Sequence, residues 1–71
     1  MALDPKTREL AAVAASAAGN CMPCLRYHFA EAKKNGCTEE ELSEVIEAAK
    51  MIKNRPITEI EKIAGQLLEE M

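Results

Sequence analysis

Tryptophan is absent, and the aromatic share of 3% is carried by Tyr27 and Phe29 alone. Twelve of the apolar residues are alanine, so an apolar fraction of 48% is thin in volume. A 71-residue chain has room for one domain, and at that size folding buries only about 60% of the unfolded surface. With so few bulky side chains, the fold relies on close helix packing, a second copy of itself, or a crosslink or metal. Long apolar runs are missing too. The stretch from Leu10 to Gly19 is short, rich in alanine and interrupted by Ser16, which excludes a bilayer span. No run of Lys and Arg exceeds two residues and the net charge is −3, so nucleic acid is a poor partner. The opening residues MALDPKTREL are polar and carry Asp4 and Glu9, unlike a secretory leader. Three cysteines are too few and too odd in number for a secreted disulfide framework. A cytoplasmic chain with one close cysteine pair reads instead as redox or metal chemistry.

What is present is helical punctuation. Asp4-Pro5 is a cap followed by the residue best tolerated at a first helical position, and the helix it opens runs to Gly19. Asn20 is expected to cap a second helix from Cys21 to about Asn35, stopped by Gly36. Thr38 with Glu41 three residues on forms a capping box. The helix behind it carries Leu42, Val45, Ile46, Ala49 and Ile52 as one apolar stripe. Asn54-Arg55-Pro56 is expected to break that helix, and Thr58 with Glu61 reads as a second capping box. The fourth helix then bears Ile60, Ile63, Ala64, Leu67, Leu68 and Met71. No segment alternates with period two. The expected fold is all-α, a single domain over residues 1–71 built as a small bundle of about four helices. In the first helix Leu10, Val13 or Ala14, and Ala17 face the core, while Ala11, Ala14, Ala15 and Ala18 suit a closely packed neighbour. Tyr27 and Phe29 read as packing groups. The Leu67-Leu68 end reads as core or subunit interface.

The chemistry lies in Asn20-Cys21-Met22-Pro23-Cys24-Leu25-Arg26-Tyr27-His28. Cys21 and Cys24 are three apart, and Cys24 and His28 four apart, so all three project from one helix face. Cys21 is expected at the first helical position, where free amide N–H groups and the helix dipole stabilise a thiolate. Thiols in such surroundings fall from a pKa of about 8.5 to roughly 3.5–7.5. Pro23 falls in the first turn, where it needs no amide partner. An imidazole one turn past Cys24 can take its proton. A thiolate, a second thiol and a base are what is needed to reduce a peroxide to a sulfenate, close a disulfide, and reopen it by exchange.

The pattern Glu9-x11-Cys21-x2-Cys24-x3-His28 resembles the signature of the alkyl hydroperoxidase D-like branch of the carboxymuconolactone decarboxylase family. The likeness continues through Ala32, Gly36, Thr38 with its acidic residues, and Leu42-x3-Ile46, covering about residues 9 to 50. The resemblance implies an all-helical domain acting as a homo-oligomer in hydroperoxide reduction or disulfide exchange. It implies that Cys21 and Cys24 are the redox pair and that Glu9 and His28 belong to a proton relay serving them. No metal or organic cofactor is implied; the partners are a hydroperoxide and a dithiol or protein disulfide reductant, with no membrane or nucleic acid. Met22-Pro23 stands where some members carry another histidine, so a relay role at that position is lost. The chain is shorter than typical members, which implies that neighbouring subunits complete the bundle and close the site.

Which thiol attacks first stays open between two arguments. The helix dipole favours Cys21, whereas the family likeness and the nearness of His28 favour Cys24. The reading taken is Cys24 for peroxide and Cys21 for exchange with a protein reductant. Decarboxylase-type activity is an alternative, disfavoured because that branch generally lacks the cysteine pair. A non-catalytic zinc-binding or helical interaction module is another, with Cys21, Cys24, His28 and Cys37 as candidate ligands. Thirteen residues of helix from Cys24 to Cys37 span about 20 Å, so Cys37 cannot join that site within one chain. It reads as an incidental thiol near a helix end.

Overall fold

Each helix starts on a local hydrogen bond. In the computed structural model, which describes residues 2–71, the Asp4 carboxylate accepts the N–H of Thr7 at 2.7 Å, and α1 runs over Pro5–Ala18. The second helix, α2, spans Met22–Lys34, and α3 spans Glu39–Glu69. The capping box of α3 is complete. Thr38 Oγ1 accepts the Glu41 N–H at 3.1 Å, and Glu41 Oε1 accepts the Thr38 N–H at 2.8 Å. Lys6 Nζ lies 2.9 Å from Glu41 Oε2 and ties this corner to the start of α1. The Thr38 N–H, followed by the Lys6 ammonium, holds the Glu41 carboxyl below its usual range, and Glu41 in turn raises Lys6.

Helices α1 and α2 both end in Schellman geometry. After α2, the Cys37 N–H bonds to the Ala32 carbonyl and the Gly36 N–H to the Lys33 carbonyl, with Gly36 at φ 87° in the conformation that favours glycine. After α1, the Cys21 N–H bonds to the Ser16 carbonyl and the Asn20 N–H to the Ala17 carbonyl. Here Asn20 takes the left-handed position at φ 59°, which asparagine tolerates better than most residues. Asn20 is therefore the C-terminal stop of α1 and not the cap of α2. That role passes to Cys21, one residue later than expected, so Cys21 is the cap and not the first helical residue.

The all-helical class stands, and three helices are found among the described residues in place of about four. Pro56 lies inside α3 without ending it. Its ring removes one i→i−4 bond, but the Ile52 carbonyl that loses its donor belongs to an exposed segment. Two contacts span the position: Arg55 Nη2 to Glu59 Oε1 at 3.3 Å, and Thr58 Oγ1 donating to the Asn54 carbonyl at 3.1 Å. Thr58, expected as a cap, thus bonds backward along a continuous helix.

Helix α1 packs against both α2 and α3. The core consists of Val13, Ala32, Cys37 and Leu42, with Leu10, Leu25, Phe29, Val45 and Ile46 partly buried around it. Ser16 is buried too, its hydroxyl donating to the Ala12 carbonyl at 2.7 Å. Of the alanines expected at a helix interface, Ala11 and Ala15 face solvent while Ala14 and Ala18 are half-buried; the fully buried positions are Val13 on α1 and Ala32 on α2. Phe29 packs as expected, but Tyr27 is exposed. Cys37 is no bystander: it is a core residue whose Sγ donates to the Lys6 carbonyl at 3.7 Å. Beyond Lys50 every residue is exposed, and α3 projects past the bundle as an arm. Among the described residues no helix is long and apolar enough to cross a membrane.

Candidate active site

The turn that ends α1 delivers the first cysteine. Because Asn20 is left-handed, the chain reverses there and Cys21 enters α2 as its N-cap, with extended backbone. Its Sγ accepts the Cys24 N–H at 3.3 Å, satisfying one of the donors a helix start leaves open. Cys21 and Cys24 are joined as a disulfide, their Cα atoms 5.2 Å apart. Met22 and Pro23 form the first turn between them, so proline costs no hydrogen bond. Cys21 is half-buried and Cys24 exposed.

His28 stands one turn beyond Cys24 on α2, its ring edge-on to Tyr27 with centroids 5.0 Å apart. Across the α1–α2 interface its Nδ1 lies 2.7 Å from Glu9 Oε2. A carboxylate only accepts, so Nδ1 carries the proton and donates to Glu9. The lone pair of the neutral imidazole is then at Nε2, which is the atom able to take a proton. Glu9 is the better covered partner, its side chain 13% exposed against 32% for His28. The four expected residues therefore form two bonded pairs, Cys21–Cys24 at the start of α2 and Glu9–His28 across the α1–α2 interface.

A hollow of about 160 Å³ adjoins Cys21, lined by Ser16, Met22, Leu25 and Lys53 among others. Lys53 reaches it from α3, its Nζ donating to the Ala17 carbonyl at 3.2 Å, where a cation suits the C-terminus of α1. Sequence reasoning missed Lys53, because nothing local connects it with a cysteine far earlier in the chain. Cys37 lies in the core beneath the opposite end of α2. Burial, and then the Glu41 carboxylate, push its thiol up, away from the thiolate that metal binding or attack requires. Among the described residues no group of three His, Cys, Asp or Glu side chains is gathered as a metal site.

Comparison with known proteins places the match on this part of the chain. The family model described as Carboxymuconolactone decarboxylase family matches residues 1–56, from the first residue to Pro56. No curated protein and no solved structure matches significantly.

Proposed function

The chain belongs to the carboxymuconolactone decarboxylase family, and from that premise we propose that it is a cysteine-dependent reductase of the alkyl hydroperoxidase D-like kind, acting on hydroperoxides or disulfides. The observation that carries the reading is the cysteine pair at the start of α2, one turn from a histidine whose Nδ1 is held by Glu9 at 2.7 Å. A structural staple would need neither the adjoining base nor an exposed sulfur.

In the reduced protein, Nε2 of His28 takes the Cys24 proton, and the thiolate attacks the terminal oxygen of the hydroperoxide. The O–O bond breaks, and the alkoxide leaves as alcohol with the proton returned by the imidazolium. Cys24 is left as a sulfenic acid. The Cys21 thiolate attacks that sulfur, a disulfide forms, and hydroxide leaves as water with the proton given up by Cys21. One hydroperoxide and two thiols have become one alcohol, one water and one disulfide. An external dithiol, small or on a protein, restores the pair by exchange and is itself oxidised.

Exposure supports a different division of labour in the exchange half than the one expected. Cys24 is the accessible sulfur, so the incoming thiolate attacks Cys24 and expels Cys21. The Cys21 sulfur already accepts an amide N–H at the helix start, where a leaving thiolate is stabilised. Cys24 then meets both peroxide and reductant, and Cys21 is the resolving and leaving thiol.

The test is hydroperoxide consumption driven by dithiothreitol, with the disulfide followed by mass. Cys24→Ser is expected to abolish turnover, and Cys21→Ser to stop it after one event unless an external thiol resolves the sulfenate. An unchanged rate in Cys24→Ser overturns the proposal.

A further inference from the structure

Helix α3 carries three cations between Lys50 and Arg55. Lys50 Nζ lies 3.1 Å from Glu47 Oε1 and Arg55 Nη2 3.3 Å from Glu59 Oε1, each pair formed within the helix. Lys53 has no acid at helical spacing. The residues three and four away are Lys50 and Ala49 on one side and Pro56 and Ile57 on the other. Its ammonium crosses to α1 instead, donating to the Ala17 carbonyl at 3.2 Å.

That anchor sets the charge beside the first cysteine. The preceding carbonyl, of Ser16, accepts the Cys21 N–H at 3.0 Å. Consecutive carbonyls at the end of α1 thus hold the cysteine backbone and the ammonium, and both residues line the hollow of about 160 Å³. Its other walls are uncharged: Ser16, Ala17 and Asn20 at the end of α1, Met22 and Leu25 on α2. Further along α2, His28 faces Glu9 and not the hollow. An ammonium has three donors; the Ala17 carbonyl takes one, and two remain.

We propose that Lys53 is a positioning residue for the exchange half of the cycle, its ammonium holding the charge that appears on Cys21 when the disulfide opens. The inference rests on the redox reading above. The incoming thiolate of a dithiol bonds to Cys24 Sγ, the S–S bond breaks, and its electron pair leaves on Cys21 Sγ. That charge develops between the Cys24 N–H, already on the sulfur at 3.3 Å, and the ammonium from α3. The second thiolate of the dithiol then displaces Cys24 from the mixed disulfide. The dithiol ends as a disulfide, and its two thiol protons pass to the cysteine sulfurs or to water. Lys53 keeps its own proton throughout. Attack on peroxide, at Cys24, draws on His28 and not on Lys53.

Two measurements test this without any hydroperoxide, on variants whose helix content is checked by circular dichroism. In the reduced Cys24→Ser chain, the pH dependence of iodoacetamide labelling at Cys21 is followed by peptide mass. Lys53→Gln keeps a donor for the Ala17 carbonyl but loses the charge, and is expected to raise the labelling midpoint by about one pH unit. Lys53→Arg is expected to restore it, and Lys50→Met, which removes the ammonium facing Glu47, to leave it in place. In the chain with both cysteines, Lys53→Gln is expected to slow opening of the disulfide by dithiothreitol severalfold at low salt, a difference that shrinks at high salt. An unmoved midpoint in Lys53→Gln, or an equal shift in Lys50→Met, overturns the proposal. A shifted midpoint in a chain that consumes no hydroperoxide supports the role of Lys53 and refutes the peroxidase reading alone.

Discussion

Replacing Glu9 by glutamine isolates what the carboxylate does for His28. The amide oxygen can still accept the Nδ1 proton, so the ring keeps its place and only the charge is lost. The bond is short, 2.7 Å, and partly screened from water, with 13% of the Glu9 side chain and 32% of the His28 side chain exposed. Hydrogen bonds to charged groups contribute about 1.5–3 kcal/mol and neutral ones about 0.5–1.5. The difference, taken at its lower end because a third of the histidine is open to solvent, is about 1 kcal/mol, or roughly fivefold in rate. Removing the base itself costs more: His28→Ala is expected to slow turnover by about 100-fold or more. The decisive measurement is the double-mutant cycle. If Glu9 acts through His28, Glu9→Gln slows the natural protein's turnover about fivefold and leaves that of the His28→Ala variant unchanged. The assay is the initial rate of hydroperoxide consumption at saturating dithiothreitol, with urea unfolding of each variant as a control on folding. Independent, additive losses would refute the relay, as would a full rate in His28→Ala.

Four further outcomes follow from the packing and the caps. Leu42, 2% exposed in the core, loses three carbons in Leu42→Ala, about 2.4 kcal/mol at 0.8 kcal/mol each before any cavity term. A total near 3 kcal/mol lowers the melting temperature by about 12–24 °C, and a shift of only a few degrees would contradict the core assignment. In the reduced native chain a thiol reagent is expected to label Cys21 and Cys24 quickly and Cys37 slowly, because burial shields the Cys37 thiol and pushes it up; unfolding in urea should erase the difference. Glu41 is lowered and Lys6 raised in the folded state. Their contribution is therefore level across neutral pH, lost on acidification once pH falls below the usual carboxylate range, and lost on the alkaline side above the usual lysine range. Thr38→Ala, which removes one half of the capping box, is expected to cost about 1 kcal/mol; a Glu41→Gln chain with the same acid sensitivity as the natural one would show that other groups control that limb.

What was legible in the sequence is what neighbouring residues decide among themselves. Asp4 and Thr38 cap their helices because a side-chain oxygen reaches an N–H two or three residues on. Cys21, Cys24 and His28 share a face because helical spacing puts them there. Gly36 stops α2 by its own backbone freedom. Even the misjudged Asn20 was placed correctly at a helix boundary; its left-handed backbone ends α1, and the cap of α2 moved to a sulfur that does not usually serve as one. Glu9 could be named from the sequence only through a family resemblance, since its bond to His28 crosses 19 positions and exists only because α1 packs on α2. Lys53 beside Cys21 and Cys37 inside the core depend in the same way on contacts between helices. The continuity of α3 through Pro56 is the plainest case. Local signals there describe a break and a new start, but a proline's fixed φ is compatible with a helix, and the Ile52 carbonyl it leaves without a donor belongs to an exposed residue. The sequence determined the helices, their caps and the line of reactive groups along α2, because those are short-range. Only the tertiary structure decided which carboxylate holds the histidine, which thiol is sealed away, and that the last apolar stripe is left facing outward.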